Sequence, residues 1–123
     1  MSPEEHVHFT TADYLRLQYP NVFFISESSG VRTSIGLAKK LKRTRSNHVH
    51  LDLYILEKRG DWAGLILELK AKSVFKKDGT LLKNDHVEDQ ARTIEKLKQK
   101  GYMATFACSF EEAKKIIDDY LCQ

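Results

Sequence analysis

Residues 48–57, HVHLDLYILE, alternate apolar and polar side chains, and residues 64–72, GLILELKAK, follow after the short link KRGDWA. Alternation of period two marks a β-strand, and a Gly-containing link of this length folds two such strands into an antiparallel hairpin. Val49, Leu51, Leu53 and Ile55 then share one face of the first strand, with His48, His50, Asp52 and Tyr54 on the other. In the second, Leu65, Leu67, Leu69 and Ala71 oppose Ile66, Glu68, Lys70 and Lys72. A carboxylate and a lysine therefore interrupt a run that otherwise reads as buried.

The hairpin sits in the middle of an α-β-α-β-β-α-β-α order. Residues 3–18 open with Pro3, Glu4 and Glu5, run through Val7, Tyr14, Leu15 and Leu17, and stop before Pro20, a helix with ordinary start and stop signals. NVFFIS (21–26) reads as a short strand, SESSGVRTS as a turn, and residues 33–43 as a helix in spite of Gly36. After the polar excursion SVFKKDGTLLKND, residues 86–100 place Val87, Ala91, Ile94 and Leu97 on one helical stripe that ends at Gly101. YMATFACS is a strand, and Ser109 with Glu112 forms the capping box of a last helix over 110–121. Strands interleaved with helices predict an α/β domain, a central mixed sheet flanked by helices. With 123 residues and no repeat or linker, one domain spans 1–123.

Composition narrows the class. A 41% hydrophobic and 10% aromatic content suits a soluble globular chain rather than a disordered one. No apolar run approaches the roughly 18 residues of a membrane span, and MSPEEHVHF lacks the order of a signal peptide, so the expected location is cytoplasmic with no membrane partner. Cys108 and Cys122 have no metal or redox spacing and are expected as reduced thiols. The net charge is only +3, but AKKLKRTR concentrates Lys39, Lys40, Lys42, Arg43 and Arg45. Such a cluster either grips nucleic-acid phosphates or is a solvated helix end whose cations meet the helix dipole. The SESSGVRTS loop adds hydroxyls, Gly30 and Arg32, equally suited to a phosphate backbone or to an ordinary turn.

Side chains at i and i+2 of a strand point the same way, so Glu68 and Lys70 address one point, and the paired strand brings Asp52 to it. Two converging carboxylates repel, and a divalent cation relieves that repulsion. Hard oxygen ligands select Mg²⁺ or Mn²⁺, and a metal, a lysine and a water suit phosphodiester hydrolysis. The bland counterpart is an amphipathic hairpin meeting water, and Glu112-Ala113-Lys114 repeats E-x-K in a helix where the two side chains diverge. His48 and His50 are polar strand positions or phosphate contacts, with a zinc site as a third reading.

LDLYI, GLILELKAK and HVEDQARTIEKLKQKGYMATFACSFEEAKKIIDDYL together resemble the virus-type replication-repair nuclease (VRR-NUC) domain, a branch of the PD-(D/E)xK nuclease superfamily. DYLRLQYPNVFF resembles the opening of its small phage and prophage members. The resemblance implies a restriction-endonuclease-like core and a Mg²⁺- or Mn²⁺-dependent deoxyribonuclease. Asp52 and Glu68 would be the metal carboxylates, aided by a backbone carbonyl at Leu69, with Lys70 as the catalytic lysine. Gln90 matches the family's helical glutamine, and Glu4, rather than Glu5, its N-terminal glutamate. DNA would lie against Lys39, Lys40, Lys42, Arg43, Arg45 and Arg32. The resemblance to stand-alone members further implies a homodimer acting on branched DNA such as a Holliday junction. One departure is plain: the family's Gly and Pro before the aspartate are replaced by Val49, His50 and Leu51. It opens the alternative of a DNA-binding or partner-binding module that keeps the fold without turnover.

Overall fold

The structure, a computed structural model, describes residues 1–27 and 34–123. Its four helices are α1 (Pro3–Gln18), α2 (Ile35–Arg43), α3 (Asp85–Gln99) and α4 (Phe110–Leu121). Each starts where a side chain can accept the orphan N–H groups of the first turn: Ser2, Ser34, Asn84 and Ser109 are the N-caps. Ser109 Oγ accepts from the Glu112 N–H at 3.0 Å, as the capping pattern predicts. Gly101, with φ of +96°, turns the chain out of α3 in a conformation that side chains rarely adopt.

The strands are β1 (Phe24–Ser26), β2 (Leu53–Ile55), β3 (Leu65–Leu69) and β4 (Met103–Ala107), lying in the order β1-β2-β3-β4. β1, β2 and β3 are antiparallel neighbours, and β4 joins β3 in parallel after the α3 crossover. β3 is therefore an inner strand, and all five of its residues are buried. Leu53, Ile55, Leu65, Leu67 and Leu69 pack on one face against Val7 and Leu15 of α1 and Ala113, Ile117 and Tyr120 of α4. Ile66, Ala104 and Phe106 pack on the other against Val87 and Ile94 of α3. At about 1.5–3 kcal/mol for each buried large aliphatic side chain, these two layers hold the sheet between the helices.

The hairpin link turns tightly. Arg59 and Trp62 exchange N–H···O bonds of 3.1 and 2.9 Å around Gly60, whose φ is +57°. Both cysteines are free thiols.

Three expectations change. The strand expected over 48–57 contracts to Leu53–Ile55, and the one over 21–26 to Phe24–Ser26. Leu51 joins the α3-side cluster instead of the face that carries Leu53 and Ile55. The cause is local: Leu53 is the register partner of Leu67, yet the Asp52 N–H also donates to the Leu67 carbonyl at 3.0 Å. Two consecutive residues thus face one, a β-bulge, and the residues before it swap faces. In α1, Leu17 is 71% exposed, and the buried positions are Val7, His8, Thr11 and Leu15. Thr11 fits there because its hydroxyl donates to the Val7 carbonyl at 2.7 Å.

Candidate active site

The bulge delivers Asp52 to the end of β3. Its Oδ2 accepts from the Leu69 N–H at 2.7 Å, satisfying a ladder donor that β2 is too short to reach. Because N–H and C=O of one strand residue face the same neighbour, the Leu69 carbonyl lies on this side as well. Glu68 and Lys70 flank it, 4% and 7% exposed. Lys70 Nζ stands 3.6 Å from Glu68 Oε2 and 3.8 Å from Glu4 Oε1, so the first turn of α1 reaches the same point. Glu5 instead places its N–H on the Ser2 cap and does not touch Lys70. From the opposite side α3 contributes Gln90, 3% exposed, whose Nε2 lies 3.1 Å from His86 Nε2. Gln90 Oε1 is buried and has no hydrogen-bond partner among the described residues.

Glu4, Asp52, Glu68, Lys70, His86 and Gln90 line one cavity of about 610 Å³, together with Lys42 and Arg45. The site residues expected from sequence, Glu4, Asp52, Glu68, Lys70 and Gln90, are thus brought together. The basic cluster is divided. Lys42 and Arg45 line the cavity, whereas Lys39, Lys40 and Arg43 are exposed on α2, a helix that buries none of its residues. Arg45 is held by Glu27 at 2.5 Å. Arg32 lies outside the described residues.

The electrostatics converge on Glu68. Burial, the Asp52 charge and a hydrogen bond shared with Asp52 push its carboxyl up to about 9, against the opposing pull of Lys70. The site thus disfavours a second charged carboxylate beside Asp52, a crowding that a proton on Glu68 or a bound cation relieves. Asp52, Glu68 and the Leu69 carbonyl are hard oxygen donors, and they fit an ion that keeps several waters, as Mg²⁺ does. They do not make a cage: among the described residues no three His, Cys, Asp or Glu side chains gather into a metal-holding group. Zinc on His48 and His50 gains nothing here. His50 Nδ1 bonds Glu27 at 2.8 Å and its Nε2 bonds Ser46 at 3.2 Å, so both ring nitrogens are engaged.

Two groups at the site escaped the sequence reading. His86 precedes Gln90 by four residues, which puts them on one helical face, and that spacing was the available signal. Glu27, which ties Arg45 and His50 together, sits 18 and 23 residues from its partners and left no local signal.

A mixed sheet between helices, with carboxylates and a lysine at the end of its inner strand, is the restriction-endonuclease-like α/β class. In sequence, no model of a known protein family matches the chain, and no curated protein matches it. In three dimensions, a solved structure of a VRR_NUC domain protein superposes with a TM-score of 0.70 at 22% identity, covering 99% of this chain and 90% of that one. The fold is that of a VRR-NUC domain along essentially the whole chain.

Proposed function

We propose that this protein is a Mg²⁺- or Mn²⁺-dependent deoxyribonuclease that hydrolyses DNA phosphodiester bonds. The observation that carries the reading is the burial of Glu68 and Lys70 at the end of one inner strand, opening with Asp52, Glu4 and Gln90 onto one cavity. Nothing in packing calls for a charged pair there, since apolar residues of similar volume are often as stable.

Asp52, Glu68 and the Leu69 carbonyl would hold the ion. When bound, it lowers the pKa of a water and polarises the phosphodiester. Lys70, steadied by Glu4 and Glu68, places an ammonium where charge develops on the phosphorus oxygens. Gln90 lines the same cavity, where its amide would orient the attacking water. Lys42 and Arg45 at the cavity wall, with the cations of α2 beyond, neutralise the DNA backbone. Arg32 belongs to the same proposal on sequence grounds. The sequence resemblance to stand-alone phage nucleases extends the reading to a homodimer, whose two symmetric sites would nick paired strands of branched DNA.

The test is cleavage of labelled Holliday-junction, flap, duplex and single-stranded DNA in Mg²⁺, Mn²⁺ or EDTA, beside Glu68→Ala and Lys70→Ala. Metal-dependent cutting lost in both variants is the expected result. A wild type that binds these DNAs and cuts none would make the protein a binding module of the same fold.

A further inference from the structure

A second, smaller recess of about 230 Å³ adjoins the active-site cavity and shares with it the loop residues Ser46, His48, Val49 and His50. Its other wall is α3. The face that presents His86 and Gln90 to the first cavity continues along the helix as Thr93, Lys96, Leu97 and Lys100, which line the second. Val49, Tyr54 and Leu97 give it an apolar surface. No carboxylate lines it.

The charges of α3 are sorted by side. Arg92 is paired with Asp89 and Lys98 with Glu95, each three residues away, and neither cation lines the recess. Lys96 and Lys100 line it and have no carboxylate partner among the described residues. Between them Thr93 is only 9% exposed, and its hydroxyl has no hydrogen-bond partner among the described residues. An apolar surface edged by unpaired ammonium groups and a spare hydroxyl is complementary to a nucleotide: sugar or base against carbon, phosphate against cation. The volume falls below the roughly 300 Å³ at which pockets for whole small ligands begin, so it suits one unit of a longer ligand that continues into the larger cavity.

We infer that the strand being cut runs along α3, with a nucleotide seated in this recess and its backbone phosphates on Lys96 and Lys100. The helical rise puts these lysines about 9 and 15 Å beyond Gln90. They would therefore meet backbone phosphates a few nucleotides from the reacting one. The inference rests on the nuclease reading for the identity of the polymer and adds the path of the strand.

Binding of a labelled DNA duplex in EDTA, measured between 50 and 200 mM salt, tests it with Lys96→Ala/Lys100→Ala and with the outward pair Arg92→Ala/Lys98→Ala. Loss of two phosphate contacts flattens the plot of log K against log salt by about 1.8, and the outward pair leaves it unchanged. Equal slopes for wild type and the Lys96/Lys100 variant would overturn the inference, as would a wild type that binds no DNA. Failure of the nuclease reading shows separately, as absence of metal-dependent cleavage by a wild type that still binds. In cleavage, neutral methylphosphonate linkages placed one at a time along the strand beside the cut should slow the wild type at the positions these lysines meet and leave the Lys96/Lys100 variant unaffected there.

Discussion

Glu68 is a carboxylate that the fold holds where water hardly reaches, and its energetics follow from that. A folded pKa near 9 against an ordinary 4.5 means that the native state favours the protonated form. The stability this contributes is fully present below about pH 4.5 and is lost as pH rises through about 9. Glu68→Gln keeps the shape and removes the charge, so in EDTA at pH 8 it should raise stability by roughly 1–3 kcal/mol, read from urea unfolding. The gain should vanish at pH 4. Excess Mg²⁺ should raise the wild-type melting temperature and leave Glu68→Gln where it was. Asp52 has a second duty as acceptor for the Leu69 N–H. Asp52→Asn retains an acceptor there, whereas Asp52→Ala abandons a buried donor and should cost about 1–3 kcal/mol by the same measurement. Both should abolish cleavage, which separates charge from scaffold. The carboxylates and the lysine were legible because charge in an apolar strand is conspicuous; the load on Glu68 was not, because desolvation belongs to the neighbours that bury it.

At the scale of elements, the helices were readable nearly to the residue, since caps and stripes are local signals. The strands were readable in kind but not in extent. Alternation over 48–57 predicts one continuous strand, yet the bulge at Asp52 breaks the period and sends Leu51 to the face it was expected to avoid. A sequence pattern of period two cannot announce an extra residue when apolar groups are buried on both faces. The hairpin depends on close approach at Gly64: a Cβ there would lie 2.9 Å from the Ile55 carbonyl oxygen. Gly64→Ala must push β2 from β3 and should destabilise by about 1–3 kcal/mol in denaturant unfolding. Asp52 and Glu68 would shift with those strands, so cleavage should fall as well.

Across the whole molecule, α1 can contribute Glu4 only while it stays docked on the sheet beside α4. Tyr14 and Tyr19 each donate to Asp118 Oδ1 at 2.6 Å, and Lys114 donates to Oδ2 at 3.0 Å, clamping the first helix to the last. Partial burial would raise the Asp118 carboxyl, but these hydrogen bonds outweigh it and hold the group below its usual 3.8. A depressed pKa contributes stability above about pH 3.8 that is lost as pH falls through the folded value, so the clamp holds across the neutral range. Asp118→Ala should cost about 1–2 kcal/mol at pH 7, and hydrogen exchange should show α1 opening more readily than β3. No helix among the described residues is long and apolar enough to cross a membrane.

By itself the sequence determined the order of elements, the hairpin, the helix ends and the residue types that carry the chemistry. Each of these depends on side chains a few positions apart, within reach of the local backbone. The tertiary structure alone decided that Asp52 arrives through a bulge, that Glu4 rather than Glu5 meets Lys70, and that Glu27 ties Arg45 to His50. It also decided that two lysines of α3, without a carboxylate partner among the described residues, line a recess beside the site. Those outcomes depend on which distant segments share a small volume, and on the loss of water there, which the order of residues along the chain does not express.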